Sequence, residues 1–395
     1  MKHIARIVDE VRKMVSSGAR VSKVDQQVGG IELIEEPGGK QVEILDRNVL
    51  KPLEYRALKP QRDVFALDSS TRVVETPYVF IGVGAGSVFS RFSGRGLDVP
   101  TTTSILGLEE PICKHLLVIP ELDTGEEVYR GLVDVPGVIT QNPAGERYTS
   151  SYNKHAALIE LRLSLENCLL ERFIESPLLS TSTALFLDGP LAYPRALTVE
   201  VASQGLRERV STYLVNIDRL NEARLKLISK LTQTGVHVIG VVKRLMRSYY
   251  LSSLDPFGIS SGKINDEAYI ETLITRLKPP SNTPLVIGPI RAELGLKGFY
   301  KVMWYFIVPR RLYPSVAILG NYVVFRVEVP ESSSEIYRSS LGILLYDSIH
   351  AGGLFPLSIL VVDKRVKKIS SSLVTYLLYL TGLTEESTGR YITLI

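Results

Sequence analysis

The chain has 395 residues, of which 45% are hydrophobic and 22% charged, a balance that excludes a disordered or collagen-like chain. That length allows two or three domains, or one large α/β domain with insertions, at about 150 residues per domain. The longest uncharged stretch, Ile369 to Thr384, is rich in Ser and Thr and shorter than the ~20 apolar residues of a membrane span, and the net charge of +4 permits a polyanionic partner without requiring one. Cys113 and Cys168 are the only cysteines. They cannot build a disulfide framework and show no Cys-x-x-Cys metal pattern. Met1 to Val15 carries no apolar signal core, so a cytoplasmic protein is expected. Seven glutamines and two cysteines lean toward a thermophile.

In chain order, Ile4, Ile7, Val8, Val11 and Val15 recur at helical spacing between basic residues, which predicts an amphipathic helix over 1–23. Residues 24–62, with a Pro-Gly-Gly turn at 37–39, read as a segment wrapping around a main domain over 63–395. Strand-like runs follow: Val64 to Leu67 ending in Asp68, Tyr78 to Val83, and Leu116 to Ile119. A loop rich in Gly, Pro and Asn spans Asp134 to Arg147. A long helix is predicted over Tyr152–Ser176, then a strand Ala184–Leu187 ending in Asp188, a helix near Arg209–Thr234 and a strand His237–Val242. Paired strands are expected over Val302–Val308 and Tyr322–Val329, and two last helices near Ile359–Lys368 and Ser372–Leu383. This alternation predicts an α/β fold with a mixed central sheet flanked by helices.

Asp68 and Asp188 each close an apolar run, and the carboxyl ends of strands are where open α/β sheets place ligands. Each can equally cap its following turn, as Asp before Ser or Gly often does. On a helical wheel of residues 158–174, Leu158, Leu161, Leu165 and Leu169 share one broad apolar face. Glu160, Ser164, Asn167 and Glu171 fall opposite, toward solvent. Glu166 lies within the apolar face, one turn after Arg162. A charge there is costly unless paired or bound to metal. Two readings stand: an Arg162–Glu166 pair, or a carboxylate aimed at the cleft of Asp68 and Asp188. Converging acids suit hard divalent cations such as Mg²⁺ or Mn²⁺.

Other motifs carry less. No phosphate loop of the Gly-x-x-x-x-Gly-Lys type exists, and the run Gly82-Val-Gly-Ala-Gly-Ser87 reads as close backbone packing in a strand. Gly258-Ile-Ser260-Ser-Gly262 spells a nucleophile elbow, but the preceding Asp255-Pro256 marks a turn rather than a strand. The histidines show no metal spacing. Lys243, Arg244 and Arg247, followed by Tyr249 and Tyr250, form a candidate phosphate- and base-binding patch, and Arg310, Arg311 and Tyr313 a weaker one.

Together these segments resemble the NurA nuclease family. The resemblance runs through Phe65-Ala-Leu-Asp68-Ser-Ser, Arg162 with Glu166, Leu185-Phe-Leu-Asp188-Gly-Pro-Leu and Gly240-Val-Val-Lys243-Arg244. It continues through Phe325-Arg326-Val-Glu328-Val-Pro330 and Leu354-Phe-Pro356 to Asp363. The resemblance implies an RNase H-like, PIWI-related core with N-terminal and C-terminal helical additions. It implies Mn²⁺- or Mg²⁺-dependent DNA cleavage with two ions, 5′-to-3′ exonuclease action and single-strand endonuclease action. A homodimer docked on a hexameric HerA-type translocase for end resection in recombinational repair is implied too. Asp68, Glu166 and Asp188 match the family's metal-binding acids, with Glu160 and Glu171 as alternatives to Glu166. The family's Asp-Gly-Ser is Asp68-Ser69-Ser70 here, which implies a turn without glycine. Near the C-terminus Phe355 and Asp363 stand where the family usually has tyrosine and histidine. Asp363 can still ligate a hard metal through oxygen, whereas Phe355 has no hydroxyl to donate. That departure leaves two further readings: a non-catalytic scaffold that binds DNA or a translocase, and, independently of the family, a hydrolase of small phosphoesters.

Overall fold

The apolar runs of the sequence become strands of one large sheet in the computed structural model. The structure describes residues 2–16, 32–35, 42–75, 79–120, 125–194, 196–198, 204–260, 262–279, 283–294, 298–310, 322–332, 334–348 and 355–381. The N-terminal half contains α1 (Lys2–Ser16), β1 (Glu32–Ile34), β2 (Val42–Ile44), β3 (Leu50–Pro52), β4 (Asp63–Glu75), β5 (Val79–Phe89), β6 (Gly96–Val99), α2 (Thr102–Ile105) and β7 (Leu116–Pro120). There follow α3 (Gly125–Leu132), β8 (Val138–Ile139), α4 (Lys154–Glu175), β9 (Ser182–Asp188), β10 (Ala196–Thr198), α5 (Gln204–Gln233) and β11 (His237–Val242). The last third adds α6 (Tyr250–Leu254), α7 (Asp266–Leu277), β12 (Leu285–Glu293), β13 (Tyr300–Pro309), β14 (Tyr322–Pro330), α8 (Ser334–Asp347) and α9 (Leu357–Thr381).

Twelve strands form the sheet, in the order β2-β12-β13-β14-β11-β9-β4-β5-β7-β8, with β3 on β12 and β6 on β5. At its centre β4, β9 and β11 run parallel, while β5 and β14 flank them antiparallel. The central strands are continuously apolar because both their faces are covered. Val64, Ala66, Ala184 and Phe186 point toward α9 residues Ile359, Val362 and Val366. Phe65, Leu67, Leu185 and Leu187 point the other way, toward α4 residues Leu165 and Leu169 and α5 residues Leu225 and Ile228. This is the mixed α/β sheet flanked by helices that the sequence predicts.

Three local expectations change. The strand through Asp68 does not stop there: β4 continues to Glu75, paired with β5 all the way from Ala66↔Phe89 to Glu75↔Phe80. Asp68-Ser69-Ser70 is therefore strand and not turn, since Thr71, Val73 and Val74 favour an extended backbone. The two C-terminal helices are one, α9, whose serine run stays helical while the Ser370 hydroxyl donates back to the Lys367 carbonyl at 3.1 Å. The N-terminal helix is described over Lys2–Ser16, where Ile4, Ile7 and Val8 bury against β5, β7 and the end of α9. Residues 17–23, the Pro-Gly-Gly turn, Arg311 and Tyr313 lie outside the described residues. Finally, Glu160 and Asn167 are buried rather than solvent-facing. α5 packs along α4, so α4 is covered on two sides, and a wheel with one buried face misplaces them. Glu160 accepts hydrogen bonds from the Tyr148 and Tyr152 hydroxyls, both at 2.6 Å, and from Asn216 Nδ2 at 3.1 Å.

Two features fix α4 on the sheet. The glycine run lies inside β5, and a Cβ at Gly82, Gly84 or Gly86 would meet the α4 side chains Leu158, Leu165 and Leu169 at 3.0, 3.2 and 2.5 Å. Glycine here permits close approach of helix and strand. Cys113 and Cys168, the latter in α4, are joined by one disulfide that spans 55 residues of sequence. Gly84 also has the His115 carbonyl 3.1 Å from any added Cβ, and that backbone atom has no rotamer to escape into. Gly84→Val is expected to lift α4 and destabilise the fold by about 2–3 kcal/mol, read as a lower midpoint in urea unfolding.

Candidate active site

Pairing register builds the centre of the site. β4 and β9 are parallel, with Leu67 beside Leu187. The next residues, Asp68 and Asp188, are therefore neighbours, and both leave the face that α9 covers. β9 ends at Asp188, whereas β4 runs on, so the two carboxylates stand where the floor of the sheet opens. α9 places Asp363 immediately after the buried Val362, on the flank facing β9. Carboxylate oxygens of Asp68, Asp188 and Asp363 all lie within 4.8 Å of one another. Asp68 is the most buried, with 4% of its side chain exposed, against 11% for Asp188 and 22% for Asp363.

Lys243 closes the other side. β11 is parallel to β9 with Val241 beside Asp188, so Lys243, two residues on, emerges on the same face. Its ammonium lies 2.7 Å from Asp188 and 3.9 Å from Asp363, and 5.4 Å from the centre of the Phe355 ring. Phe355 packs edge-on against Phe325 at 5.2 Å. Lys367, one turn along α9, pairs with Asp363 at 2.8 Å.

Glu166 approaches from the opposite face of the sheet, through Ser69, whose side chain points toward α4. One oxygen of Glu166 accepts from the Ser69 hydroxyl (2.6 Å), Arg162 Nε (3.2 Å) and the Tyr193 hydroxyl (3.2 Å), and the other from Arg224 at 2.9 Å. Glu166 thus pairs with Arg162, as one of the two sequence readings expects. It stands apart from the three-aspartate cluster. Arg162 links the two, because it also donates to Ser69 Oγ at 3.1 Å and to Asp68 at 3.3 Å.

The loop after Asp188 is braced from below. Gly189 takes φ +139°, a conformation glycine adopts freely, and donates its N–H to Val241 at 3.0 Å. Gly240 lacks a Cβ that would sit 3.0 Å from the Gly189 carbonyl. The Leu191 N–H donates to Glu328 at 3.0 Å, and Asn221 of α5 bonds both the N–H and the carbonyl of Tyr193 at 2.9 Å. Glu328 in turn belongs to a buried network with Lys301, Arg326 and Glu35.

Electrostatics separate the acids by role. Burial first, then the neighbouring Asp188, pushes the Asp68 carboxyl up to about 8, against the pull of Arg162. Burial also raises Asp188, less so because Lys243 opposes it. For Glu166 burial acts upward, but Arg224 and Arg162 together outweigh it and hold the carboxyl below its ordinary value. Asp68 and Asp188 thus form a strained pair of like charges that a divalent cation would relieve. Asp68, Asp188 and Asp363 offer only oxygen, the donor set hard cations prefer, and they fit such an ion.

The other sequence candidates scatter. Arg244 and Arg247 are exposed on the turn beyond Lys243, and the Arg247 carbonyl accepts the Glu35 N–H at 2.8 Å. Tyr250 is buried beside Lys301 and Arg326, so it cannot stack a base. Gly258 and Ser260 lie in a turn whose N–H groups at 259 and 260 donate to Asp255, which confirms a chance match. The sequence reading missed Ser69, Tyr193 and Arg224. Only Arg224 left a signal, as a cation within the buried stripe Ile217, Asn221, Ile228 and Leu231 of α5. Among the described residues, no helix is long and apolar enough to cross a membrane.

The sign of the Asp68 shift sets a test. Its folded value, near 8, lies above the unfolded value near 3.8, so the metal-free fold binds the extra proton and loses stability as pH rises from about 4 to about 8. Asp68→Asn is expected to remove that component. In EDTA at pH 8.5 the variant should be more stable than the wild type by about 1–2 kcal/mol, and the gap should close at pH 4. A constant difference in melting temperature across that range would contradict the assignment. Cation binding must displace the same proton, so Mn²⁺ affinity is expected to rise with pH over this window.

The family model described as the NurA domain matches residues 62–368. No curated protein matches the chain. Among solved structures, the NurA nuclease from Sulfolobus solfataricus is 12% identical with a TM-score of 0.44, covering 82% of this chain and 87% of that one. A NurA bound to dAMP and manganese is 10% identical with a TM-score of 0.39, covering 81% and 88%. A NurA with manganese is 11% identical with a TM-score of 0.39, covering 82% and 91%.

Proposed function

The chain belongs to the NurA family, and from that membership we propose that it is a divalent-metal-dependent deoxyribonuclease. The observation that carries this is the convergence of Asp68, Asp188 and Asp363 within 4.8 Å at the open end of a parallel strand pair. Asp68 and Asp188 are the central ligands, Asp363 a third from α9, and Glu166 the family's remaining acid. The cofactor is Mn²⁺ or Mg²⁺, with two ions. Bound there, such ions supply Lewis acidity for the attacking water and the leaving oxygen of a phosphodiester.

The chain's own residues do the rest. Lys243, 2.7 Å from Asp188, holds positive charge beside the cluster, where it would face the phosphate of a bound strand. Arg162 spans Asp68 and Glu166 and keeps Asp68 from swinging away, while Ser69 and Arg224 lock Glu166 against rotation. Arg244 and Arg247, on the turn beyond Lys243, extend the cationic surface that steers the DNA backbone. In the cell we assign this activity to 5′-to-3′ exonuclease and single-strand endonuclease work in end resection, by a homodimer partnered with a hexameric HerA-type translocase.

One observation favours a second reading. The family's tyrosine position is Phe355, whose ring packs on Phe325 and Lys243 and has no hydroxyl to offer. A member weakened in this way would act as a DNA- or translocase-binding scaffold.

End-labelled single- and double-stranded DNA, incubated with Mn²⁺, Mg²⁺ or EDTA, separates the two. The nuclease predicts cleavage that needs metal and falls by at least about 10³-fold in folded Asp188→Ala and Asp68→Ala. Full activity in either variant would sink the site assignment. Salt-sensitive DNA binding without cleavage in either metal would establish the scaffold.

A further inference from the structure

Past the end of β9, one face of β4 changes character. Val64 and Ala66 are apolar core, then Asp68, Ser70 and Arg72 point the same way, and Val74 is apolar core again. α9 answers with a stripe at helical spacing: Asp363, Lys367 and the buried Ser370, interleaved with the buried Val362, Val366 and Val374. Two polar ridges therefore face each other along a seam that begins at the aspartate cluster. Ser70 and Arg72 are only partly buried, although they lie on an interior strand. They are accessible because β9 stops at Asp188 and leaves that edge of β4 without a neighbouring strand.

At the far end of the seam, Arg72 Nε donates to the Ser370 hydroxyl at 3.2 Å, and that hydroxyl lies 3.3 Å from Ser70 Oγ. Arg72 has no carboxylate partner among the described residues, unlike Arg162 and Arg224. Its guanidinium is oriented by a neutral hydroxyl, and its other N–H groups make no hydrogen bond to the described residues. Four residues of strand separate Arg72 from Asp68, about 13 Å at a strand's rise per residue, a span of a few nucleotides. The bland account is a surface cation that merely ties β4 to α9. It leaves unexplained why the ridge turns polar only where β9 has ended.

We propose that Arg72, held by Ser370 and flanked by Ser70, is a phosphate subsite for the DNA strand that continues from the aspartate cluster along the β4–α9 seam. The inference rests on the nuclease reading and adds a strand path to it. A guanidinium presented on a rigid strand suits a phosphodiester oxygen pair. Lys367, between the two ends of the stripe and 60% exposed, adds charge along the way.

The test compares wild type, Arg72→Ala and Arg72→Lys on a dinucleotide and on a long single-stranded oligonucleotide, with Mn²⁺. Arg72→Ala is expected to raise KM for the long strand about tenfold, leave its kcat unchanged, and leave both constants for the dinucleotide as in wild type. Arg72→Lys should recover most of the loss. In EDTA, the slope of log affinity against log salt for the long strand should shrink by about 0.7 in Arg72→Ala. Equal losses on both substrates would mean a structural role and overturn the subsite, as would an unchanged KM and salt slope. Wild-type cleavage with an indifferent Arg72→Ala defeats this inference and leaves the nuclease reading standing. A wild type that neither cuts nor binds DNA defeats both.

Discussion

The pairing of Leu67 with Leu187 decides where everything else must go. In a parallel sheet that register places Asp68 beside Asp188 on one face, and no side-chain rotation can separate two short carboxylates on adjacent strands by much. Unit charges within 4.8 Å repel by roughly 3–4 kcal/mol at an effective dielectric of about 20. A third acid, Asp363, is then added from α9. Such a cluster persists in a folded chain only if protons, built-in cations or bound metal offset the repulsion. The structure holds the first two, a raised Asp68 and Lys243 on Asp188, and the all-oxygen donor set, open to solvent at Asp363, fits the third.

The surrounding fold reads as support for that arrangement. Glycines in β5 let α4 approach closely enough for Arg162 to reach Asp68 past the end of β9. The disulfide between Cys113 and Cys168 ties the same helix to the loop before β7. From below, Glu166 anchors Arg162 and is itself fixed by Arg224, a wholly buried cation on α5. A carboxylate with two guanidiniums and two hydroxyls around it has little freedom to move. Opposite signs of pKa shift for Asp68 and Glu166 follow from this division. One acid is left short of positive charge, whereas the other is saturated with it.

Much of this was legible in the sequence, and the reasons for the remainder are physical. The central strands announce themselves because burial on both faces makes them continuously apolar. Asp68, Asp188 and Asp363 stand out as acids at the edges of such runs or within a family pattern. The wheel correctly flagged Glu166 as a charge inside an apolar stripe. It failed for Glu160 because a wheel knows one buried face, and α4 has two, the second supplied by a helix some fifty residues away. The extent of β4 was missed for a related reason. Asp-Ser-Ser reads locally as a turn, and only pairing with β5 keeps it extended. α7 begins at Asn265, whose side chain accepts the Ala268 N–H at 2.9 Å, a cap legible in the sequence as Asn before Asp-Glu. The Cys113–Cys168 bond joins a loop to a helix across 55 residues, and two cysteines alone carry no trace of that proximity.

The exchange of an expected histidine for Asp363 changes the charge of the cluster more than its geometry. A neutral imidazole would leave two aspartates for Lys243 to balance. With Asp363 there are three, and Lys243 lies within 4 Å of two of them, while Lys367 attends the third acid from the solvent side. Phe355 stands against the same ammonium at 5.4 Å, presenting a ring face or edge where a phenol would present a hydroxyl. The extra negative charge would raise the attraction for divalent cations, and Phe355 offers no hydroxyl donor beside them. If the cluster holds metal as proposed, this exchange favours tighter binding of divalent cations and leaves Lys243 as the nearest cation beside them.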